Sequence, residues 1–191
     1  ADRFCRNHQC LLIIDPPARW QTVDDVIRDQ ERSGFTSPYA ITWFPGVCTR
    51  NFQGEKIWTS AAGSIAAALI VGDGREGVVQ LHEDSPIVLR GGMRLTAKLN
   101  EADVQRLARV GINSLIQRSA LHLQLQGNVT QARYGSISAD WNALALRQQG
   151  LFILRRIRAG TRWTLFNESN TDSWKEISHV GQGVRCGGAQ K

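Results

Sequence analysis

The sequence has 191 residues, 42% of them hydrophobic and 21% charged, which suits one domain, or one domain with a small lobe, around a packed core. Its net charge of +6, from 23 basic and 17 acidic side chains, favours an acidic partner but lacks the aromatic-interleaved groove of a single-strand binder. No apolar run approaches the ~18 residues of a membrane span, no secretory signal opens the chain, and four cysteines without CxxC spacing make no disulfide scaffold, so a reducing compartment is expected.

In chain order, His8 to Asp15 (HQCLLIID) is a short apolar run closed by Pro16 and Pro17, and it predicts a buried strand. Thr22 opens a helix through Ser33, with Asp24 and Asp25 in the first turn and Gly34 as the stop. Tyr39 to Phe44 (YAITWF) is a second strand, ended by Pro45 and Gly46. Strand, helix, strand in this order predicts a parallel unit with a right-handed crossover.

Thr49 to Lys56 reads as a loop or hairpin tip, and Ser60 to Val71 as a helix of small residues able to pack close to a neighbour. Gly72 to Gly77 is a break, Val78 to Leu81 a short strand, and Pro86 to Leu99 is β-structure interrupted by Gly91 and Gly92. Asn100 caps a helix carrying Val104, Leu107 and Val110 at helical spacing, and Gly111 ends it. Ile112 to Gln117, Leu121 to Leu125 and Val129 to Tyr134 are three strand candidates. In the second, Leu121, Leu123 and Leu125 alternate with polar residues, which turns His122 to the wet face. Ser138 or Asp140 starts the longest helix, which Gly160 ends. Thr161 to Phe166 is a strand, and a last helix starts near Asp172. The expected fold is α/β, a mixed, partly parallel sheet flanked by helices, forming one domain over 1–191 with possible sub-lobes at about 1–85 and 86–191.

Chemical motifs are sparse. Cys5, His8 and Cys10 gather three potential metal ligands, but structural zinc takes two spaced pairs and no second pair is visible. Gly72, Gly74 and Gly77 spell GxGxxG, yet the preceding segment reads as a helix and the following VVQL as a strand. That inverts the context a dinucleotide needs. His82, Glu83 and Asp84 read as a solvated turn, and Asp140 beside Trp141 as a helix start. No nucleophile, base and orienting group come together. No catalytic, cofactor-binding or metal-ligating residue is assigned. Arg155, Arg156, Arg158 and Arg162 form the densest basic run, read as a solvated or protein-facing surface.

An ordered series of segments carries a resemblance. Leu99-Asn100-Glu101-Ala102-Asp103 is followed by Gly111-Ile112-Asn113 and by Ala132-Arg133-Tyr134-Gly135-Ser136-Ile137-Ser138-Ala139-Asp140. A long helix then ends in Arg155-Arg156-Ile157-Arg158-Ala159-Gly160-Thr161-Arg162-Trp163-Thr164-Leu165-Phe166-Asn167. With LLIIDPP, TVDDVI, SPYAITWFPGV, TSAAGSIAAAL and Leu89-Arg90-Gly91 in the first half, the series resembles the core of the contractile tail sheath proteins of phages, tailocins and related injection particles, from about residue 10 to 180. The chain departs from that family in Asn142-Ala143-Leu144-Ala145-Leu146, where the family has an Arg-rich first turn. The resemblance also leads to an expectation of final β-segments and strand-exchanging terminal arms, for which no counterpart is read after Arg185, so a fragment, a pared-down subunit and a sheath-like relative with another role stay open.

The resemblance implies a structural subunit, not an enzyme, with no cofactor. Its implied partners are copies of itself in stacked rings, an inner tail tube protein, and baseplate and terminator proteins, without membrane insertion or specific nucleic-acid binding. The implied location is the cytoplasm of a producing bacterium and then the assembled particle. The resemblance also places tube contacts on a helix near the carboxy end, which here is Trp174 to Arg185, making Lys175 and Arg185 the candidates, with Trp174, Ile177 and Val180 as packing residues. The alternative readings are an α/β enzyme or nucleotide-binding domain, resting on the βαβ order and the glycine string, and a nucleic-acid-binding module, resting on net charge.

Overall fold

The structure, a computed structural model, describes residues 1–71, 87–90, 93–119, 122–132, 142–162 and 175. The chain divides into two compact units, Ala1–Gln148 and Gln149–Lys191.

The first unit is built on a mixed sheet. Strands β1 (Leu12–Ile14) and β2 (Ala40–Phe44) pair in parallel, Ile13 opposite Ile41, across the helical crossover that the sequence predicts. β2 pairs in parallel with β7 (Asn113–Ser119), which forms an antiparallel ladder with β8 (His122–Gln126). β8 pairs with β5 (Val88–Arg90), giving the order β1-β2-β7-β8-β5. A second, antiparallel sheet of β3 (Val47–Arg50), β4 (Lys56–Thr59) and β6 (Arg94–Leu95) has β3 at its centre.

β2 reads AITWF without alternation because both of its faces are covered, and all five of its residues are buried. Ile41 and Trp43 join Leu115, Leu123 and Leu125 in one apolar cluster with Ile65 and Leu69 of α3 (Ala62–Val71). Phe44 and Ile112 join the opposite cluster, with Trp20, Val26 of α2 (Val23–Ser33) and Leu107 of α4 (Glu101–Arg109). Full burial of such a side chain stabilises by about 1.5–3 kcal/mol, so β2 anchors both layers. His122 is exposed while Leu123 and Leu125 are buried, as the alternation predicts.

The helix starts follow from local chemistry. Thr22 Oγ1 accepts from the Asp25 N–H at 3.2 Å while the Asp25 carboxylate accepts from the Thr22 N–H at 3.0 Å, a reciprocal cap on α2. Asn100 and Asp103 repeat the arrangement on α4. Gly34, at φ 59°, closes α2 in a left-handed conformation that favours glycine.

Asp29 of α2 accepts from Arg19 at 2.5 Å and from Trp20 Nε1 at 2.8 Å, and these bonds, the arginine first, hold its carboxyl below the usual range. A depressed carboxyl contributes stability that is present above its unfolded value, near 3.8, and is lost as pH falls through the folded value. Asp29→Asn is therefore expected to lower stability at neutral pH and to converge on the parent as pH falls below about 4, which flattens the acid limb. Urea midpoints measured across that range check this.

Several expectations differ from what is observed. Residues Asp2–His8 form a helix, α1, closed by Gln9 at φ 51°, so the strand expected over His8 to Asp15 shrinks to Leu12–Ile14. β4 was not anticipated, because its four residues are largely exposed and show no polar–apolar alternation. The strand expected over Val129 to Tyr134 is reduced, among its described residues, to single bridges, Val129 with Ala143 and Gln131 with Ser37.

The longest helix, α5 (Leu144–Gly160), starts later than Ser138 or Asp140 because a remote residue caps it. The Leu144 N–H donates to Asn128 O at 3.0 Å and the Ala145 N–H to Asn128 Oδ1 at 3.0 Å. The second unit holds the remainder of α5 and the turn at Thr161, whose N–H and hydroxyl both donate to Ile157 O. The expected strand at Val78 to Leu81, most of Thr161 to Phe166 and the helix near Asp172 lie outside the described residues.

Candidate interaction surfaces

The cysteine–histidine cluster has turned to other tasks. His8 stacks on Phe4 with ring centroids 4.1 Å apart, while Cys5, itself a residue of α1, is buried. Burial first, then a hydrogen bond with Cys10, pushes the Cys5 thiol above its ordinary value, opposite to the shift of a reactive or metal-bound thiolate. Among the described residues, no group of three or more His, Cys, Asp or Glu is placed to hold a metal ion. Two grooves, of 440 and 570 Å³, are lined by residues such as Cys48, Arg50 and Arg94, and Leu99, Ile116 and Arg118. Neither lining includes a carboxylate or a histidine.

The start of α3, a helix end that could otherwise take an anion, is already filled. Asp15, just past the carboxyl end of β1, accepts from Ala61 N–H at 3.0 Å and Ala62 N–H at 3.1 Å, and from the Ser60 hydroxyl. Those amides are the orphan donors at the start of α3, so a protein carboxylate occupies the anion position. α3 runs to Val71, so a helix precedes Gly72, as the inverted context of the glycine string predicts. The string itself, with His82 to Asp84 and Asp140, lies outside the described residues. Asp15→Ala is expected to destabilise the first unit by about 2 kcal/mol, and Asp15→Asn by less because one oxygen remains. Thermal and urea unfolding measure this.

A buried polar seam stiffens the sheet. Asn113 Nδ2 donates to Val129 O at 2.8 Å and Thr42 O at 3.3 Å, and its Oδ1 accepts from Val129 N–H at 2.9 Å. Gln131 Nε2 donates to Thr42 Oγ1 at 2.7 Å. The buried Arg147 lies over the Tyr39 ring at 4.6 Å, and Arg6 lies over the same ring at 5.3 Å. Burial, more than any other influence, lowers the proton affinity of Arg147.

The exposed features are of the kind used in docking. The β3–β4 hairpin carries Phe52 fully exposed at its tip, with Ile57 and Trp58 half exposed behind it. The tip is fixed, since Asn51 Oδ1 accepts from the N–H groups of Gln53 and Glu55, and Arg50 donates to Gly54 O at 2.7 Å. β1 and β5 are the outer strands of the larger sheet among the described residues. Lys175 is exposed, and Arg185 lies outside the described residues. No described helix is long and apolar enough to cross a membrane.

No protein-family profile matches the sequence, and no curated protein matches it. Solved structures do. A chain of the PVC sheath complex of an extracellular contractile injection system, in the contracted state, superposes with a TM-score of 0.68 at 15% identity, covering 90% of this chain and 46% of that one. A chain of the six-fold symmetrised baseplate of the anti-feeding prophage gives 0.68 at 18% identity, covering 91% and 43%. The contracted helical sheath of the same prophage gives 0.66 at 18% identity, covering 92% and 45%. At these identities the likeness is one of fold, and it spans nearly all of this chain but less than half of each neighbour. The resemblance carried by the ordered segments is met at that level: the mixed α/β fold is one found in contractile sheath assemblies.

Proposed function

We propose that this chain is a structural subunit of a contractile sheath, polymerising with copies of itself in stacked rings around an inner tube and carrying no catalytic centre. The observation that supports the reading is the fold shared with contractile-sheath structures over 90% of the chain. Sheath work is mechanical. A metastable extended lattice contracts when its subunits rotate and bury more surface, so the free energy is stored at assembly and no nucleotide is needed. A stiff core that moves as a body suits this, and the doubly anchored β2 and the Asn113 seam give stiffness. Outer strands such as β1 can accept main-chain hydrogen bonds from a neighbour's segment.

The same reading supplies the tube, baseplate and terminator proteins as partners, and a bacterial cytoplasm followed by a phage tail, tailocin or injection particle as location. Electron microscopy of the concentrated protein and of its full gene product tests it. Hollow striated cylinders are expected, and dispersed monomers in both preparations would overturn the reading. Lys175 and Arg185 are the proposed tube contacts, so Lys175→Glu is expected to weaken co-sedimentation with the tube by roughly threefold or more, as for a partly exposed charge pair. Unchanged co-sedimentation removes Lys175 from that role.

A further inference from the structure

Cys5 and Cys10 are brought together by the way α1 ends. Gln9, at φ 51°, turns the chain back, and the N–H groups of Gln9 and Cys10 both donate to Cys5 O, the Cys10 bond at 3.0 Å. In this kind of helix terminus the residue after the left-handed position returns over the residue five before it, so that their side chains meet. A bond of that length limits the two Cα atoms to about 7 Å along a stretched path, and hydrogen-bond bending brings them inside the ~4.4–6.8 Å span of a disulfide. Both thiols are free, and Cys5 meets Cys10 directly in a hydrogen bond.

The two sulfurs differ in access. Cys5 is 5% exposed, and burial keeps its thiol protonated, whereas Cys10 is half-buried and within reach of small solutes. Cys48, the third described thiol, is buried and donates to Arg94 O at 3.4 Å, so it offers no competing entry. The helix that carries Cys5 is held to the core by Asp2, which accepts from the Ser37 hydroxyl, and by the Arg6 guanidinium 5.3 Å over the Tyr39 ring. A covalent bond at its other end would add a second fastening.

We propose that Cys5 and Cys10 are a peroxide-responsive dithiol that closes to an intrachain disulfide, fastening the last turn of α1 to the residues entering β1. Hydrogen peroxide is the oxidant. The Cys10 sulfur, as its thiolate, attacks one peroxide oxygen. The O–O bond breaks, the departing hydroxide takes up the proton that Cys10 released, and Cys10 is left as a sulfenic acid. The Cys5 sulfur then attacks the Cys10 sulfur: the S–S bond forms, the S–O bond breaks, and the hydroxyl leaves as water with the Cys5 proton. The two thiols give up two electrons, and one peroxide becomes two waters. Cys10 is the entry because it is accessible, and Cys5 is the resolving thiol because the backbone already holds it in place, which makes the second step intramolecular. The proposal concerns the first unit alone and does not depend on the sheath reading.

The test treats the folded full chain with hydrogen peroxide, blocks remaining thiols with iodoacetamide in denaturant, and digests with trypsin without reduction. Cleavage after Arg3, Arg6 and Arg19 falls inside and around the pair, so the expected product is Phe4–Arg6 joined to Asn7–Arg19, separating in dithiothreitol. With dimedone present to trap sulfenic acid, Cys5→Ser is expected to raise the labelled fraction of Cys10 roughly tenfold or more, because the resolving thiol is gone. Amide exchange over the last turn of α1 is expected to slow roughly tenfold or more in the oxidised chain. The peptide map needs no variant, and Cys5→Ala replaces Cys5→Ser should the latter lose its circular dichroism. Oxidation of Cys10 to sulfinic acid while Cys5 stays a thiol overturns the proposal. So does a disulfide to Cys48 or Cys186 in place of the pair, no joined peptide at all, or exchange that is unchanged by oxidation.

Discussion

Asn113→Ala is expected to lower the unfolding free energy by about 3 kcal/mol, because it strips partners from one buried and two part-buried main-chain groups. The Asn113 amide bonds both the N–H and the C=O of Val129 and also reaches Thr42 O, so one side chain ties the segment after β8 to β2 and β7. The residue is 1% exposed, so water cannot replace the lost bonds without opening the sheet. Asn113→Asp is expected to cost more, since it keeps the bond from Val129 N–H but aims a second buried oxygen at two carbonyl oxygens. Urea unfolding measures both, and an unchanged slope with a lowered midpoint is the expected form. A midpoint within error of the parent would show that the seam does not carry load.

The second large effect lies one turn away. Gly127, at φ +102°, leads from β8 into the tied segment, and a Cβ built there would stand 2.6 Å from Asn113 Oδ1. Gly127→Ala meets both a backbone conformation that other residues rarely adopt and a collision with the amide doing the tying, so a loss of about 3 kcal/mol is expected. The two contributions separate in a double-mutant cycle. With Asn113→Ala present the oxygen at 2.6 Å is gone, while the contacts to the Cβ and Cα at 3.2 and 3.3 Å and the backbone strain remain, so the pair should cost about 1 kcal/mol less than the sum of the single changes. Simple additivity would place the whole effect in the backbone and those remaining contacts.

Much of the fold was legible where local signals and burial agree. Thr22, Asn100 and Gly34 mark helix ends by chemistry acting within a few residues, and the leucines of β8 report a half-covered sheet. The misses occur where the deciding partner is distant in sequence. Asn128 sets the start of α5, Asp15 caps α3 from the end of a strand, and Asn113 takes the main-chain bonds of Val129 that a strand would have used. β4 was hidden because its neighbours cover little of it, which leaves its composition no reason to alternate. For function, the order of motifs pointed to the sheath fold while no single motif did. Cys5 and Cys10 were visible as a spacing, but the turn that brings them together emerged only from the backbone at Gln9.

The insertion of β7 beside β2 also bears on how the protein comes off the ribosome. Asn113 and Thr42 meet across 71 positions, and a ribosome adding about 5–20 residues per second needs between about 4 and 14 s to deliver the later one. For that interval the most apolar strand has a neighbour on one flank only, and its other flank is open to any nascent or finished copy nearby. A protein of this design therefore depends on holding factors or on low local crowding of polysomes more than a simple helical bundle does, and slower translation upstream of Asn113 lengthens the exposure.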